Sequence, residues 1–265
     1  MELSKRLQAI ADMVTPGVCV ADVGCDHGFV SIYLYEKQIA PKVIAMDLRP
    51  GPLQRAKEHI ETFGYGSYIE TRLSDGVTAL KPGEADAMIC AGMGGRLMAK
   101  ILEDGYEKVV KMKEMILQPQ SDLLFFREFL RNHHLYIVQE DMVKEDGKYY
   151  PMMKVVPEAA LDVKKKQEFT EAVSKGMIEG KALQNKAVPE MTEKDFVRIQ
   201  DSFGPYLLRD RHPVLKEFLE VLLERNQTIL AGIRTGEGES RNDKRIEALK
   251  LEIKDIAYCL SLYGV

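Results

Sequence analysis

Residues 18–30 limit what this chain can fold into more than any other stretch. They read Val18-Cys19-Val20-Ala21-Asp22-Val23-Gly24-Cys25-Asp26-His27-Gly28-Phe29-Val30. A short apolar run ends in an acid, a glycine turn follows, and the next residues can continue as helix. This is the strand–turn–helix of a nucleotide-binding α/β unit. Its glycines remove Cβ atoms where a ligand must touch backbone, and the helix start offers unpaired N–H groups to that ligand.

The spacing narrows the ligand. A dinucleotide fingerprint is G-x-G-x-x-G, whereas this turn is Asp-x-Gly-x-x-x-Gly, with Asp22 at the strand end. A carboxylate there repels a pyrophosphate. It suits a cationic amino group, or the ordered water around one, as in the turn of S-adenosylmethionine-dependent methyltransferases. The bland alternative is an ordinary strand-to-helix connection.

At 265 residues the chain suits one core domain plus an appendage. With 45% apolar and 29% charged residues it reads as a soluble globular protein. No apolar run approaches the roughly 20 residues of a membrane span, and Met1 to Arg6 lack the apolar core of a signal peptide. The four cysteines are scattered, with no C-x-x-C pair. That argues against structural zinc and disulfides, predicts no metal, and fits a reducing cytoplasm. The net charge of −4 means that any nucleic acid must be held by a local basic patch.

Leu3, Leu7, Ile10, Ala11 and Val14 have helical spacing. The helix they predict packs on the sheet edge, and Lys5 and Arg6 on it can also reach substrate phosphates. Strand one is expected at 18–23, a helix at 28–39 and strand two at 42–47. Asp47, at that strand's end, is placed to accept from both ribose hydroxyls of a bound nucleoside, with Leu48 beside it; capping a helix is its other use. A helix over 52–63 and a strand over 67–73 lead to Ser74-Asp75-Gly76. There Asp75 can accept from an adenine amine and Gly76 permits close approach, or the tripeptide is a simple turn.

Strand four, 85–90, runs into Ala91-Gly92-Met93-Gly94-Gly95-Arg96. Open α/β sheets bind ligands outside the carboxyl ends of their strands. The reading is therefore a loop beside the reacting group, whose glycines let a flat base lie against backbone; a tight strand–helix connection is the alternative. Arg96 and Lys100 then start a helix at that mouth and can hold phosphates, with Arg49, Arg127 and Lys148 completing a basic rim. Strand five is expected at 114–118, a helix at 123–131, strand six at 135–143 and strand seven at 149–156, with a hairpin turn at Asp146-Gly147-Lys148. A hairpin after five strand–helix units matches a methyltransferase sheet whose last strand inserts antiparallel. Tyr149 and Tyr150 either stack on a base or pack the strand.

Composition changes after Pro157, so a boundary is expected there, with domains at 1–157 and 158–265. Residues 163–186 look helical, and Thr235 to Ser240 form a polar loop. Leu215 to Leu230 and Ile246 to Leu260 predict two long helices in an antiparallel coiled coil. This all-α part carries no catalytic constellation.

Together, Leu3-Ser4-Lys5-Arg6-Leu7, Asp22-Val23-Gly24-Cys25-Asp26-His27-Gly28, Ala91-Gly92-Met93-Gly94-Gly95, Gln118-Pro119-Gln120 and Tyr149-Tyr150-Pro151 make the chain resemble the bacterial TrmK family. These are tRNA (adenine-N1)-methyltransferases acting at position 22 of tRNA. The resemblance implies a Rossmann-like class I methyltransferase domain, a helical C-terminal domain, S-adenosyl-L-methionine as cofactor and tRNA as partner. No membrane and no metal are expected, and the chain is expected as a monomer or weak dimer. On this reading Asp22, Gly24, Cys25, Asp26, His27 and Gly28 hold the methionine part, Asp47 and Leu48 the ribose, Asp75 and Gly76 the adenine, and Ala91, Gly92 and Met93 lie at the sulfonium. Lys5, Arg6, Arg49, Gly94, Gly95, Arg96, Lys100, Tyr149 and Tyr150 face the RNA. Asp26 is the candidate for stabilising charge in the reaction, and His27 either contacts substrate or orders the turn. The rivals are a small-molecule or protein methyltransferase, and a non-catalytic RNA-binding scaffold; the missing G-x-G-x-x-G makes a nicotinamide dehydrogenase remote.

Overall fold

The computed structural model describes residues 1–161, 191–234 and 243–264. The chain divides into two compact units, Met1–Phe169 and Thr170–Val265.

The first unit is built on a seven-stranded sheet. Its strands are β1 (Val20–Val23), β2 (Val43–Asp47), β3 (Ile69–Leu73), β4 (Ala87–Met93), β5 (Glu114–Pro119), β6 (Leu135–Glu145) and β7 (Lys148–Pro157), in the order β3-β2-β1-β4-β5-β7-β6. The first five are parallel; β7 runs antiparallel between β5 and β6, as the hairpin predicts. At the hairpin turn Asp146 and Gly147 both have positive φ, 49° and 73°, which matches the right-handed twist of the flanking strands.

β1 and β2 are buried along their whole length because helices cover both faces. Side chains alternate between the two layers. Val20, Val43 and Ala45 pack with α1 (Lys5–Asp12), α2 (Phe29–Glu36) and α3 (Pro50–Thr62). Ala21, Ile44 and Met46 pack with α4 (Gly95–Asp104), α5 (Tyr106–Val109) and α6 (Leu123–Asn132). The chain leaves β1 first towards β2 and β3, then crosses back to β4 and β5. Its switch point therefore lies between β1 and β4, where such sheets open a crevice.

Strand four is longer than expected. It stays paired to β5 through Ala91↔Gln118 and Met93↔Pro119, with a bulge at Gly92, whose φ is 79°. Ala91 to Met93 thus close the strand rather than open a loop, because a glycine bulge absorbs the extra residue without ending the pairing.

α1 is tied to the last strands. The Lys5 amide donates to Glu145 Oε1 at 2.7 Å, and Lys154 Nζ reaches the Met13 carbonyl at 3.0 Å and Glu114 Oε2 at 2.8 Å.

The second unit contains α7 (Glu193–Phe203), α8 (Pro205–Arg209), α9 (Pro213–Arg234) and α10 (Asp243–Ser261). α7 opens with a reciprocal capping box, Thr192 with Asp195. Arg198 on α7 makes two hydrogen bonds, 2.8 and 2.7 Å, to Asp255 on α10. α9 and α10 pack along each other. Leu215 and Leu219 on α9, and Ile256 and Leu260 on α10, are buried, whereas Leu222, Ile229, Ile246 and Ile253 are only half-buried. The helix expected over 163–186 and the loop over 235–240 lie outside the described residues.

Candidate active site

The turn after β1 is stitched to β2: the amides of Gly24 and Cys25 both donate to the Met46 carbonyl, at 2.8 and 2.9 Å. Gly24, Asp26 and Gly28 take positive φ (76°, 48° and 73°). Two glycines supply this freely, and an aspartate tolerates it better than most residues. A side chain at Gly24 would also collide with Met93, whose Cε lies 2.2 Å from the position a Cβ would occupy. Because the Met93 methyl is the tip of a flexible side chain and can swing aside, it is the φ of 76° that favours glycine here. Gly28 caps α2 and abuts Ala56 of α3, 3.2 Å from its would-be Cβ. Among the predicted cofactor residues it alone holds the turn's shape without lining the pocket.

A cavity of about 490 Å³ opens here, at the carboxyl ends of β1, β2 and β4, within the usual range for small-molecule sites. It brings together Asp22, Gly24, Cys25, Asp26, His27, Asp47, Leu48, Asp75, Gly76, Ala91, Gly92 and Met93, from four separate segments, together with Arg6 and Arg49. Asp22 is 5% exposed and accepts from Ser31 Oγ at 2.6 Å. Burial pushes its pKa from 3.8 up to about 6; the Ser31 hydrogen bond pulls it down and the nearby Asp47 charge raises it. Asp47, 7% exposed, accepts from the Arg49 amide at 2.8 Å. Ser74 bonds the Gly76 carbonyl through Oγ at 2.8 Å and so shapes the Asp75–Gly76 turn. Gly76 is needed because a Cβ would meet Ile101 at 2.9 Å. Burial also pushes the Cys90 thiol up to about 12, and that of Cys25 well above its usual range, so both stay neutral.

Arg6 enters from α1. Its Nη1 donates to Gln118 Oε1 at 3.1 Å, its guanidinium lies over the Tyr150 ring at 5.4 Å, and Gly92 leaves room for both Arg6 and Gln120. Tyr150 thus seats Arg6, and Tyr149 sits beneath Lys144 at 5.4 Å. The lining carries four carboxylates against two guanidiniums, which suits a ligand with a cation and hydroxyls.

One expectation needs correction. Arg127 is not part of a basic rim: it is 2% exposed and paired to Glu140, with Nη2 2.9 Å from Oε1. A guanidinium in the layer between α6 and β6 has to be neutralised there. Gly94 and Gly95 have the geometry of the other reading. They are the tight connection into α4, where a Cβ on Gly95 would lie 2.6 Å from the Ser121 carbonyl and one on Gly94 3.1 Å from Ser121 Oγ. Lys5, Arg96 and Lys100, expected on the RNA rather than the cofactor, lie outside the lining; Arg96 bonds Asp122 at 3.1 Å and stacks over Phe125 at 4.5 Å, while Lys100 pairs with Asp104.

The pocket also takes Phe29, Ser74, Leu97, Ile101 and Gln120, to none of which the sequence reading gave a site role. The signal was present for two of them: Leu97 and Ile101 recur at helical spacing on the first turns of α4, with Leu97 half exposed. Among the described residues no cluster of His, Cys, Asp or Glu has the arrangement of a metal site, and no helix is long and apolar enough to cross a membrane.

A doubly wound sheet with an inserted antiparallel strand, and an acid-lined pocket at its switch point, define the architecture of a nucleoside-cofactor transferase. The methyltransferase-domain model matches residues 3–153, more than half of the chain, and the chain belongs to that family. It is 39% identical over 153 residues to the tRNA (adenine(22)-N(1))-methyltransferase of Bacillus subtilis, a match covering 58% of this chain and 64% of that protein. The crystal structure of the B. subtilis m1A22 tRNA methyltransferase TrmK superposes with TM-score 0.78 at 28% identity, covering 98% of this chain and 99% of that one. Sp1610 of Streptococcus pneumoniae, solved in complex with S-adenosyl-L-methionine, superposes with TM-score 0.75 at 26% identity over 98% of this chain and all of that one.

Proposed function

We propose that this chain transfers a methyl group from S-adenosyl-L-methionine to N1 of an adenine in tRNA, at position 22, giving 1-methyladenosine. The observation that carries the cofactor reading is the pair of buried acids, Asp22 and Asp47, on adjacent strand ends, with the bare backbone of Gly24 between them. The relatives' named activities support the substrate.

The residues fit the cofactor part by part. Asp22 faces its ammonium, Asp47 its ribose hydroxyls, and Asp75 with Gly76 its adenine. Arg6, expected on substrate phosphates, is held inside the lining by Gln118 and Tyr150. That seat suits the ligand's carboxylate. The carbonyls of Ala91 and Gly92 lie at the end of β4 beside the reacting centre. When bound, the cofactor supplies a methyl group on a cationic sulfur.

N1 of neutral adenine has an in-plane lone pair, so this chain needs no base to activate it. The methylated ring is cationic. Asp26 is the residue assigned to stabilise that charge as it develops; its exposure and its left-handed backbone support this. In-line alignment contributes through effective molarity, roughly 7–11 kcal/mol in favourable cases. N1 lies on the pairing edge, so the base enters unpaired or flipped, which costs a few kcal/mol. Arg49, Arg96, Lys100 and Lys5 are exposed cations for the RNA backbone. The helical part, read as a coiled coil following a 1–157 catalytic domain, supplies further RNA contact. The protein works as a cytoplasmic monomer or weak dimer.

The experiment is incubation with methyl-tritiated cofactor and unmodified bulk tRNA, followed by mapping of the label. Label on N1 of A22 is expected; label on N6, or none, overturns the reading. In the same assay Asp26→Ala keeps affinity for S-adenosylhomocysteine and loses transfer. Normal turnover by that variant removes Asp26 from the chemistry.

A further inference from the structure

Helix α3 presses one face onto the turn that carries Asp26 and His27. Arg55 Nη2 lies 3.7 Å from Asp26 Oδ1, Ala56 abuts Gly28, and His59 Nδ1 lies 2.9 Å from the His27 carbonyl. A carbonyl only accepts, so His59 carries its proton on Nδ1. The His59 ring also stacks on the rings of His27 and Phe29, with centroids 5.7 and 5.2 Å away and planes within 21° and 16°. The His27 and Phe29 rings stack on each other at 5.5 Å.

Asp26 needs such a brace. A non-glycine residue with φ of 48° is unfavourable in isolation and persists only where its surroundings hold it. The Arg55–Asp26 pair is half exposed on both sides, and pairs of that kind stabilise little. The hydrogen bond to the carbonyl directly after Asp26 is the firmer tie.

We propose that His59 is a positioning residue. By holding the His27 carbonyl and ring it fixes the Asp26–His27 backbone, and with it the face these two residues turn towards the acceptor base. His59 itself is not in the pocket lining. This rests on the methyl-transfer function proposed above.

The test compares His59→Ala, His59→Asn and His59→Phe with wild type, measuring kcat and KM for tRNA, affinity for S-adenosylhomocysteine by calorimetry, and melting temperature. Asparagine restores an N–H near the position of Nδ1; phenylalanine keeps the ring and loses the donor. The expected result is that His59→Ala loses at least about tenfold in kcat, since small misplacements of reacting groups have effects of that order. Its affinity for S-adenosylhomocysteine stays within about twofold, His59→Asn recovers most of kcat, and His59→Phe does not. Unchanged kcat in His59→Ala, loss of kcat and cofactor affinity in parallel, or rescue by phenylalanine but not asparagine overturns the proposal. A wild type that does not methylate tRNA removes this role together with the function it rests on; an active wild type with an equally active His59→Ala removes this role alone.

Discussion

Asp22 ties the pocket to pH. Its pKa is raised from 3.8 to about 6, so the folded state binds a proton more tightly than the unfolded chain. Its protonated form therefore favours folding, a contribution fully present below the unfolded value and lost as pH rises from about 4 to about 6. Ligand binding runs the other way, because an ammonium needs the ionised carboxylate. Affinity for S-adenosylhomocysteine is expected to rise from about pH 5 and level off near pH 7, and Asp22→Asn to bind weakly with a flat profile. A steep profile surviving in Asp22→Asn would assign the titration elsewhere. Arg6 gives a second prediction at this scale. If it meets the methionine carboxylate, Arg6→Ala weakens S-adenosylhomocysteine about tenfold or more, the usual size of a charge-assisted hydrogen bond. It leaves 5′-methylthioadenosine, which has no amino-acid end, unchanged. Calorimetry with both ligands decides; equal losses mean that Arg6 supports the pocket's shape instead.

Between elements, the Arg127–Glu140 pair joins α6 to β6 with both side chains buried. Breaking one side of such a pair leaves an uncompensated charge and costs about 3–5 kcal/mol. Arg127→Met should therefore melt well below wild type, and Arg127→Met with Glu140→Leu should recover much of the loss; a double variant as unstable as the single one refutes the pairing argument. The same pair shows where the sequence stops being informative. β1, β2 and the Gly24 turn were legible because apolar runs and glycine spacing are local signals. Arg127 was not, because an arginine on an amphipathic helix looks solvated until its partner, on another element, is known. Gly94 and Gly95 were ambiguous for a related reason: glycine announces that something comes close, but not whether it is a ligand or the Ser121 carbonyl. The capping box that starts α7 was readable as Thr192-x-x-Asp195 and was passed over. His59 touches the turn only across elements, and no periodicity marks it.

At the level of the whole molecule, every described residue lining the pocket belongs to the first unit. Cofactor affinity should therefore be indifferent to stability changes in the second. Asn226 offers the means to test this. It is 2% exposed on α9, and its Nδ2 has no hydrogen-bond partner among the described residues. A buried amide in that state costs about 1–3 kcal/mol relative to an apolar group that fits the space. Asn226→Leu is expected to raise the melting temperature of the second unit in calorimetry while leaving S-adenosylhomocysteine affinity unchanged. A shift in that affinity would mean that the units are energetically coupled.

The bonds that tie α1 to the far end of the sheet also govern timing. The amide of Lys5 waits for Glu145, 140 positions later, and the Met13 carbonyl for Lys154, 141 positions later. At synthesis rates of 5–20 residues per second this delay is roughly ten to thirty seconds. During it α1 can pack on α2 but not on β6, and Arg6 lacks the Tyr150 ring until β7 is made. A nascent chain paused in that interval already owns the glycine turn but not the seat for its first arginine. The seat proposed for the ligand's carboxylate is thus complete only once β7 has left the ribosome.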